Sequence, residues 1–239
     1  MANATLGIMS SASLAIHAIG QGLAEARGLV TKHAVKQVDR LLSNKGIPVW
    51  EYFSKWVPHV VGARKEIVVA MDWTNFDADG HTTIALSLVT RHGRATPLLW
   101  KTVKQSTLGG NQADYEDRLL RRLAEVIADD VDVTILGDRG FGNTRLFALM
   151  KELDFGYVLR MRGNIYVTDT KGKSAYAEDW VDAGGHTRTL RNATVTEKNF
   201  LVPTVVCVQA KDMKEPWCLC ASDPKATSAQ LVKYYAKRW

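Results

Sequence analysis

Two aspartates stand directly after short apolar, β-branched segments of the chain. Asp72 follows residues 67–71, and Asp138 follows residues 133–137. Such segments are typical of buried strands, and groups at the carboxyl ends of neighbouring strands share one crevice. If these two strands are neighbours, both carboxylates lie a few ångströms apart and suit Mg²⁺ or Mn²⁺. Two such ions can activate a water or hydroxyl and stabilise the leaving oxygen in phosphoryl transfer.

The turn after Asp138 leaves a simpler role open for this residue. Aspartate often caps the turn that follows a strand, and Gly140 and Gly142 turn the chain here towards a helix that Asn143 can cap. A third carboxylate is normally needed to hold a second ion. If the chain is a metal nuclease whose third acid lies elsewhere in the sequence, Glu116 or Asp117 is the candidate for that acid.

The strands that carry the two aspartates belong to a regular succession of predicted elements. In order these are three strands, a helix, a strand, a helix and a strand, at residues 67–72, 83–90, 95–100, 112–128, 133–136, 143–153 and 156–161. The first three strands predict an antiparallel meander. The alternation that follows predicts a mixed α/β sheet covered by helices.

Beyond residue 162 the pattern changes to short strands separated by Gly- and Lys-rich turns. Residues 163–221 predict a β-rich insertion, with strands at 165–167, 187–190, 200–209 and 217–221. A last amphipathic helix is predicted at residues 226–239. It is dense in groups that bind phosphates or stack on bases, namely Tyr234, Tyr235, Lys237, Arg238 and Trp239.

The sequence of the first 65 residues predicts helices. This segment is basic, with eight Lys or Arg residues and three acidic residues. The helices are predicted at residues 8–26, from a cap at Thr31 onwards, and at residues 48–61 with an interruption at Pro58. In the second helix, Lys32, Lys36 and Arg40 recur every four residues with His33 beside them. This basic face either lies along a nucleic-acid backbone or is a solvated surface.

The composition is that of a globular protein of 239 residues with a formal net charge of +6. No apolar window is long enough for a transmembrane helix, and no basic region precedes the first apolar stretch as in a signal peptide. Cys207, Cys218 and Cys220 lack zinc-site spacing and predict buried free thiols in a reducing cytosol.

The order of these features resembles the DDE transposases of bacterial insertion sequences. In the branch that it resembles most, the last core helix carries the signature Y-(2)-R-(3)-E-(6)-K, and Tyr235 and Arg238 match its first half at the right spacing. Residues 138–141, Asp-Arg-Gly-Phe, and residues 217–224 also look like family segments. The resemblance covers residues 66–239, whereas the N-terminal helices match only in general character.

The resemblance implies a ribonuclease-H-like core that uses Mg²⁺ or Mn²⁺ to cut DNA at element ends and to transfer strands. Asp72 and Asp138 would be the first two metal ligands, and Tyr235 and Arg238 would contact phosphates, as would Arg139. Trp217 would either stack on a base flipped out at the cleavage point or be a core residue. The expected partners are element-end and target DNA, with a homodimer on the DNA as an option and no membrane.

The implied domains are a basic DNA-binding segment at residues 1–65, the ribonuclease-H-like core at 66–162, the insertion at 163–221 and the start of the last core helix at 222–239. The expected location is the bacterial cytoplasm, in association with the nucleoid. By the signature, the catalytic Glu belongs three residues beyond Trp239. We therefore expect a truncated copy or a fragment that binds DNA without cutting it. The alternative is an inactive transposase-derived DNA-binding protein or inhibitor.

Overall fold

The computed structural model describes residues 1–90, 95–181, 186–209 and 213–237. Helices in these ranges are α1 (Ala2–Ser11), α2 (Ile16–Arg27), α3 (Thr31–Leu42), α4 (Val49–Val61), α5 (Gln112–Val126), α6 (Thr144–Glu152) and α7 (Ser228–Ala236). The strands are β1 (Glu66–Phe76), β2 (His81–Val89), β3 (Ala95–Lys104), β4 (Asp132–Gly137), β5 (Gly156–Met161), β6 (Tyr166–Thr168), β7 (Ser174–Tyr176), β8 (Arg188–Val195), β9 (Phe200–Val208) and β10 (Trp217–Ala221).

The ten strands of the described residues form one sheet in the order β3-β2-β1-β4-β5-β10-β9-β8-β6-β7. Strands β1, β2 and β3 form an antiparallel meander, whereas β4 pairs in parallel with β1, and β5 in parallel with β4. Helices α5 and α6 make the connections that parallel neighbours require. The molecule therefore has a mixed α/β fold with a ribonuclease-H-like sheet, and the predicted fold class is confirmed.

Side chains alternate along each strand, and this alternation assigns the residues of β1 and β4 to the two faces of the sheet. On one face, the indole of Trp73 contacts α5. On the other face, Leu136 of β4 packs with Tyr235 of α7, and Val68 of β1 borders the same cluster. Asp72 is four residues after Val68 on the same strand, so it belongs to the face that α7 covers.

The predicted β-rich insertion does not form a separate sheet but extends the central one. Strand β10 pairs antiparallel with β5 on one side and with β9 on the other. The three cysteines lie on β9 and β10 as buried free thiols, as predicted. Strand β7 was not predicted, because its residues, Ser174–Tyr176, include no β-branched side chain.

Contacts divide the chain into two compact units, Met1–Tyr52 and Phe53–Trp239. In the first unit, the predicted single helix at residues 8–26 is wrong, because α1 and α2 are separate helices. Ala12 ends α1 in the left-handed region at φ 48°, and the Ser13 hydroxyl accepts a hydrogen bond from the Ala15 amide at 3.2 Å. Serine hydroxyls compete in this way with the helical hydrogen bonds of the backbone. The domain boundary at residue 65 stays a prediction.

Two further details of the predicted helices need correction. Val30 rather than Thr31 is the N-cap of α3, and it makes no side-chain cap. Pro58 lies inside α4, which continues to Val61 instead of stopping. Proline lacks an amide donor, but its carbonyl still accepts from the Gly62 amide at 2.9 Å. The buried side chains of Phe53, Val57 and Val61 recur every four residues and keep the helix continuous.

Within the described ranges, no single helix is long and apolar enough to cross a membrane. Helices α1 and α2 meet the length and composition criteria only as a pair, and the pair is bent by 96°.

Candidate active site

Asp72 and Asp138 occupy matching positions on neighbouring strands. In the parallel pairing of β1 with β4, Met71 lies opposite Gly137. Asp72 is the next residue of β1, and Asp138 is the first residue after β4. Adjacent strands are about 4.8 Å apart. Asp72 is exposed and Asp138 is half-buried. The fold therefore places the two aspartates side by side where β4 ends, at a point from which β1 continues to Phe76.

Asp138 is also tied to its own turn and to α7. Its Oδ1 accepts from the Arg139 amide at 2.5 Å, and its carbonyl accepts from the Phe141 amide at 2.8 Å. The Tyr235 hydroxyl donates to the same Oδ1 at 3.3 Å. The side chain therefore takes part in the turn, as the simpler interpretation expected, and it also contacts α7, which packs on the same face of the sheet.

Gly142 lets the chain pass closely beside β5 in this turn. A Cβ on Gly142 would lie 2.6 Å from the Arg160 carbonyl oxygen and 2.8 Å from the Met161 Cα. Two residues earlier, a Cβ on Gly140 would meet no atom within 4 Å. Asn143 then caps α6, as predicted, by accepting from the Leu146 amide at 3.0 Å. The position of Asp138 thus depends on the close approach at Gly142.

Tyr235 and Trp217 form an aromatic wall next to Asp138. Tyr235 is 1% exposed, and its ring packs edge-on against that of Trp217 with the centroids 4.9 Å apart. A capping box at Thr227 fixes the start of α7 and hence the position of Tyr235. Trp217 is half-buried and has a packing role here, while base stacking stays a prediction. Arg238 lies outside the described residues.

A charged cleft of about 440 Å³ opens beside Asp138. Glu215 Oε1 accepts from Arg160 Nη2 at 2.8 Å, and Arg139 Nη1 lies 3.3 Å from Oε2 of the same carboxylate. The hydrogen bond and the charge of Arg160 hold the pKa of Glu215 below its usual range, and Arg139 adds to this effect. The charge of Asp138 has the opposite effect and raises the pKa of Glu215. The predicted DNA-binding residue Arg139 is therefore paired with an acid that sequence reasoning missed.

Glu116 and Asp117, the candidates for a third acid, have partners on the α5 side of the sheet. Arg145 Nη2 donates to Glu116 at 2.7 Å, and Arg145 also pairs with Asp117. Trp73 Nε1 donates to Glu116 Oε1 at 3.2 Å. Burial raises the pKa of Glu116, although Trp73 and Arg145 oppose the shift. Trp73 points away from the face of Asp72, so the structure gives no support to either acid as a third metal ligand.

The predicted basic face is present on α3. Lys32, His33, Lys36 and Arg40 are all exposed, and the opposite side of the helix buries Ala34 and Val38. The four side chains are thus available to a polyanion, and nothing in the first unit covers them. Their role in DNA binding stays a prediction.

Two carboxylates are compatible with Mg²⁺, which usually takes one or two of them and completes its shell with water and substrate phosphate. Among the described residues there is no group of three or more His, Cys, Asp or Glu side chains that could hold a metal ion. Asp72 and Asp138 therefore fit a weakly held divalent ion, and their roles as metal ligands and catalytic residues stay predictions.

No protein-family model matches this chain, and no curated protein sequence matches it. Among solved structures, the chain is similar to Marinitoga piezophila Argonaute in complex with a 5′ OH guide RNA, and to the same protein with guide RNA and target DNA. The sequences are 10% and 11% identical, the TM-scores are 0.27 and 0.26, and 84% and 82% of this chain is covered. The chain spans about a third of each Argonaute chain, 31% and 30%. Likeness at these scores carries no argument about function.

Proposed function

We propose that the chain is a transposase-type protein that binds DNA and holds a divalent ion between Asp72 and Asp138. The observation that supports this most directly is the register of β1 and β4. Because Met71 pairs with Gly137, the two aspartates follow matched positions on parallel neighbours. A buried tyrosine of α7 also donates to one of them. This placement agrees with the family order of strand, meander, helix and second strand.

When bound, Mg²⁺ or Mn²⁺ would supply Lewis-acid stabilisation of a phosphodiester under attack. The chain's own residues would position the DNA. Asp72 and Asp138 would hold the ion, and Tyr235 would keep Asp138 Oδ1 in place through its hydrogen bond. Arg139 would contact a phosphate beside the ion, and Trp217 would offer a ring to an unstacked base.

The exposed basic face of α3 would supply contacts to the DNA backbone that do not depend on sequence. Each phosphate that a lysine or arginine neutralises releases counterions, so the binding would weaken steeply with salt. Binding to element ends and target DNA would place the protein with the bacterial nucleoid, and two copies on one DNA would be compatible with this role.

Mn²⁺ binding followed by electron paramagnetic resonance tests the proposed metal site. We expect Asp72→Asn and Asp138→Asn each to weaken binding by about tenfold or more, since each removes one of two charged ligands. Asp132→Asn is the matched control, because Asp132 is exposed at the opposite end of β4. If all three variants bind Mn²⁺ like the parent protein, the site is not between the two aspartates.

Supercoiled plasmid separates the transposase-type activity from the inactive DNA-binding alternative. Mn²⁺-dependent nicking that Asp138→Asn abolishes would identify phosphoryl transfer at this site. DNA binding and Mn²⁺ binding without nicking would identify a protein that occupies DNA without cutting it. A protein that binds neither DNA nor Mn²⁺ would contradict both.

A further inference from the structure

One carboxylate in the cleft beside Asp138 bridges two guanidinium groups from different elements. Arg139 belongs to the turn after β4, and Arg160 belongs to β5. Glu215, which lies shortly before β10, accepts from Arg160 at 2.8 Å and lies 3.3 Å from Arg139. Arg162 lines the same cleft. The site is therefore a small anion-binding pocket whose anion is supplied by the chain itself.

We propose that Arg139 and Arg160 form a phosphodiester clamp, and that Glu215 occupies the clamp as an internal anion until DNA displaces it. A carboxylate and a phosphodiester both present two oxygens and one negative charge to a guanidinium group, so the same arginines can bind either. The inference rests on the proposed function and adds to it the regulation of the same site.

The two arginines differ in how much they need an anion. The side chain of Arg160 is 13% exposed, whereas those of Arg139 and Glu215 are 56% and 52% exposed. Arg160 Nη2 also donates to the Pro216 carbonyl at 3.3 Å, and its buried Nε has no hydrogen-bond partner among the described residues. A largely buried guanidinium without a counter-charge is costly. Arg160 is therefore fixed in place and requires an anion in the cleft.

Exposure makes Glu215 an anion that can leave. Its half-exposed carboxylate is held by ion pairs that solvent screens, and such pairs are weak. Rotation of the Glu215 side chain into solvent would open both guanidinium groups without any change in the strands. A phosphodiester next to Asp138 could then take both partners at once.

DNA affinity in EDTA tests the clamp apart from the metal site. The probe is a short fluorescein-labelled duplex of fixed sequence, and the readout is its anisotropy with the full chain. We expect Glu215→Gln to tighten binding by about threefold to tenfold, because the internal competitor is lost while its shape is kept. Glu178→Gln is the matched control, since Glu178 is an exposed acid that lines the same cleft. It should change the affinity by less than about twofold, through long-range charge alone.

Arg139→Gln provides a second measurement on an exposed residue, where folding is not at risk. The gain from Glu215→Gln should shrink in the Arg139→Gln background, since the two side chains act on one anion. Equal tightening by Glu215→Gln and Glu178→Gln would overturn the clamp, as would weaker binding by Glu215→Gln. Because the assay contains no metal, such a result would leave the proposed role of Asp72 and Asp138 standing. Conversely, unchanged Mn²⁺ binding by the aspartate variants would contradict the metal site, and the DNA measurement in EDTA would still test the clamp by itself.

Discussion

Replacing Gly142 by alanine should destabilise the unit that carries the two aspartates. The new Cβ would lie 2.6 Å from the Arg160 carbonyl oxygen and 2.8 Å from the Met161 Cα. Both are backbone atoms of β5, so neither can rotate away. Restoring an ordinary contact requires the turn and the strand to separate by roughly 0.8 Å. Overpacking of this kind typically costs about 1–3 kcal/mol in the free energy of unfolding.

Urea unfolding followed by tryptophan fluorescence measures this cost. Six of the seven tryptophans lie in Phe53–Trp239, so the signal reports mainly on that unit. We expect the midpoint for Gly142→Ala to fall by about 0.5–1 M urea with an unchanged slope. The same variant should weaken Mn²⁺ binding, because the displaced turn carries Asp138.

Gly140→Ala is the matched control for this substitution. It lies in the same turn, and its Cβ would meet no atom within 4 Å. Its stability should be unchanged or raised by about 0.4–1 kcal/mol, since alanine restricts the unfolded chain. Equal stability of the Gly140→Ala and Gly142→Ala proteins would refute the argument that close approach at Gly142 positions Asp138.

Two further predictions concern α3 and α5. Lys36→Ala and Arg40→Ala should each weaken DNA binding and flatten the slope of log affinity against log salt by about 1. Lys45→Ala, outside the helix, should leave the slope unchanged. Equal slopes for all three variants would show that the basic face of α3 is only a solvated surface. Burial raises the pKa of Glu116 above 4.5, so the folded state binds the proton of this carboxyl more tightly than the unfolded state. The folded state therefore loses stability as the pH rises from about 4.5 through the folded-state pKa. In urea titrations across this range, the stability of Glu116→Gln relative to the parent protein should therefore increase with pH, and parallel profiles would contradict the burial argument.

The central strands could be predicted from the sequence because their residues form apolar runs bounded by turns. The strands at residues 156–161 and 217–221 were predicted at their observed bounds. Strand β1 continues to Phe76, beyond the predicted end at Asp72, because its polar end pairs with β2. Thr82 Oγ1, for example, donates to Asn75 Oδ1 at 2.8 Å. A cross-strand bond between polar residues leaves no apolar pattern in either strand.

The two aspartates of the candidate site could be found because each directly follows an apolar run, and the two runs pair in register as parallel neighbours. Arg160 and Glu215 could not be paired in this way, since 55 residues separate them and only the pairing of β5 with β10 brings them together. One local signal was available for Arg160. It is a charged residue between the buried Leu159 and Met161, where a polar side chain needs a partner.

The place of β10 in the sheet has a consequence for how the protein is made. Strand β5 leaves the ribosome with β4 already available on one side, but its other neighbour arrives only when Ala221 has been added, 60 residues after Met161. At about 5–20 residues per second, that edge waits roughly 3–12 s. Meanwhile β8 and β9 can form their hairpin without a place to dock. The nascent chain therefore exposes an unpaired apolar edge in the middle of its future sheet, where chaperone binding and aggregation compete with folding.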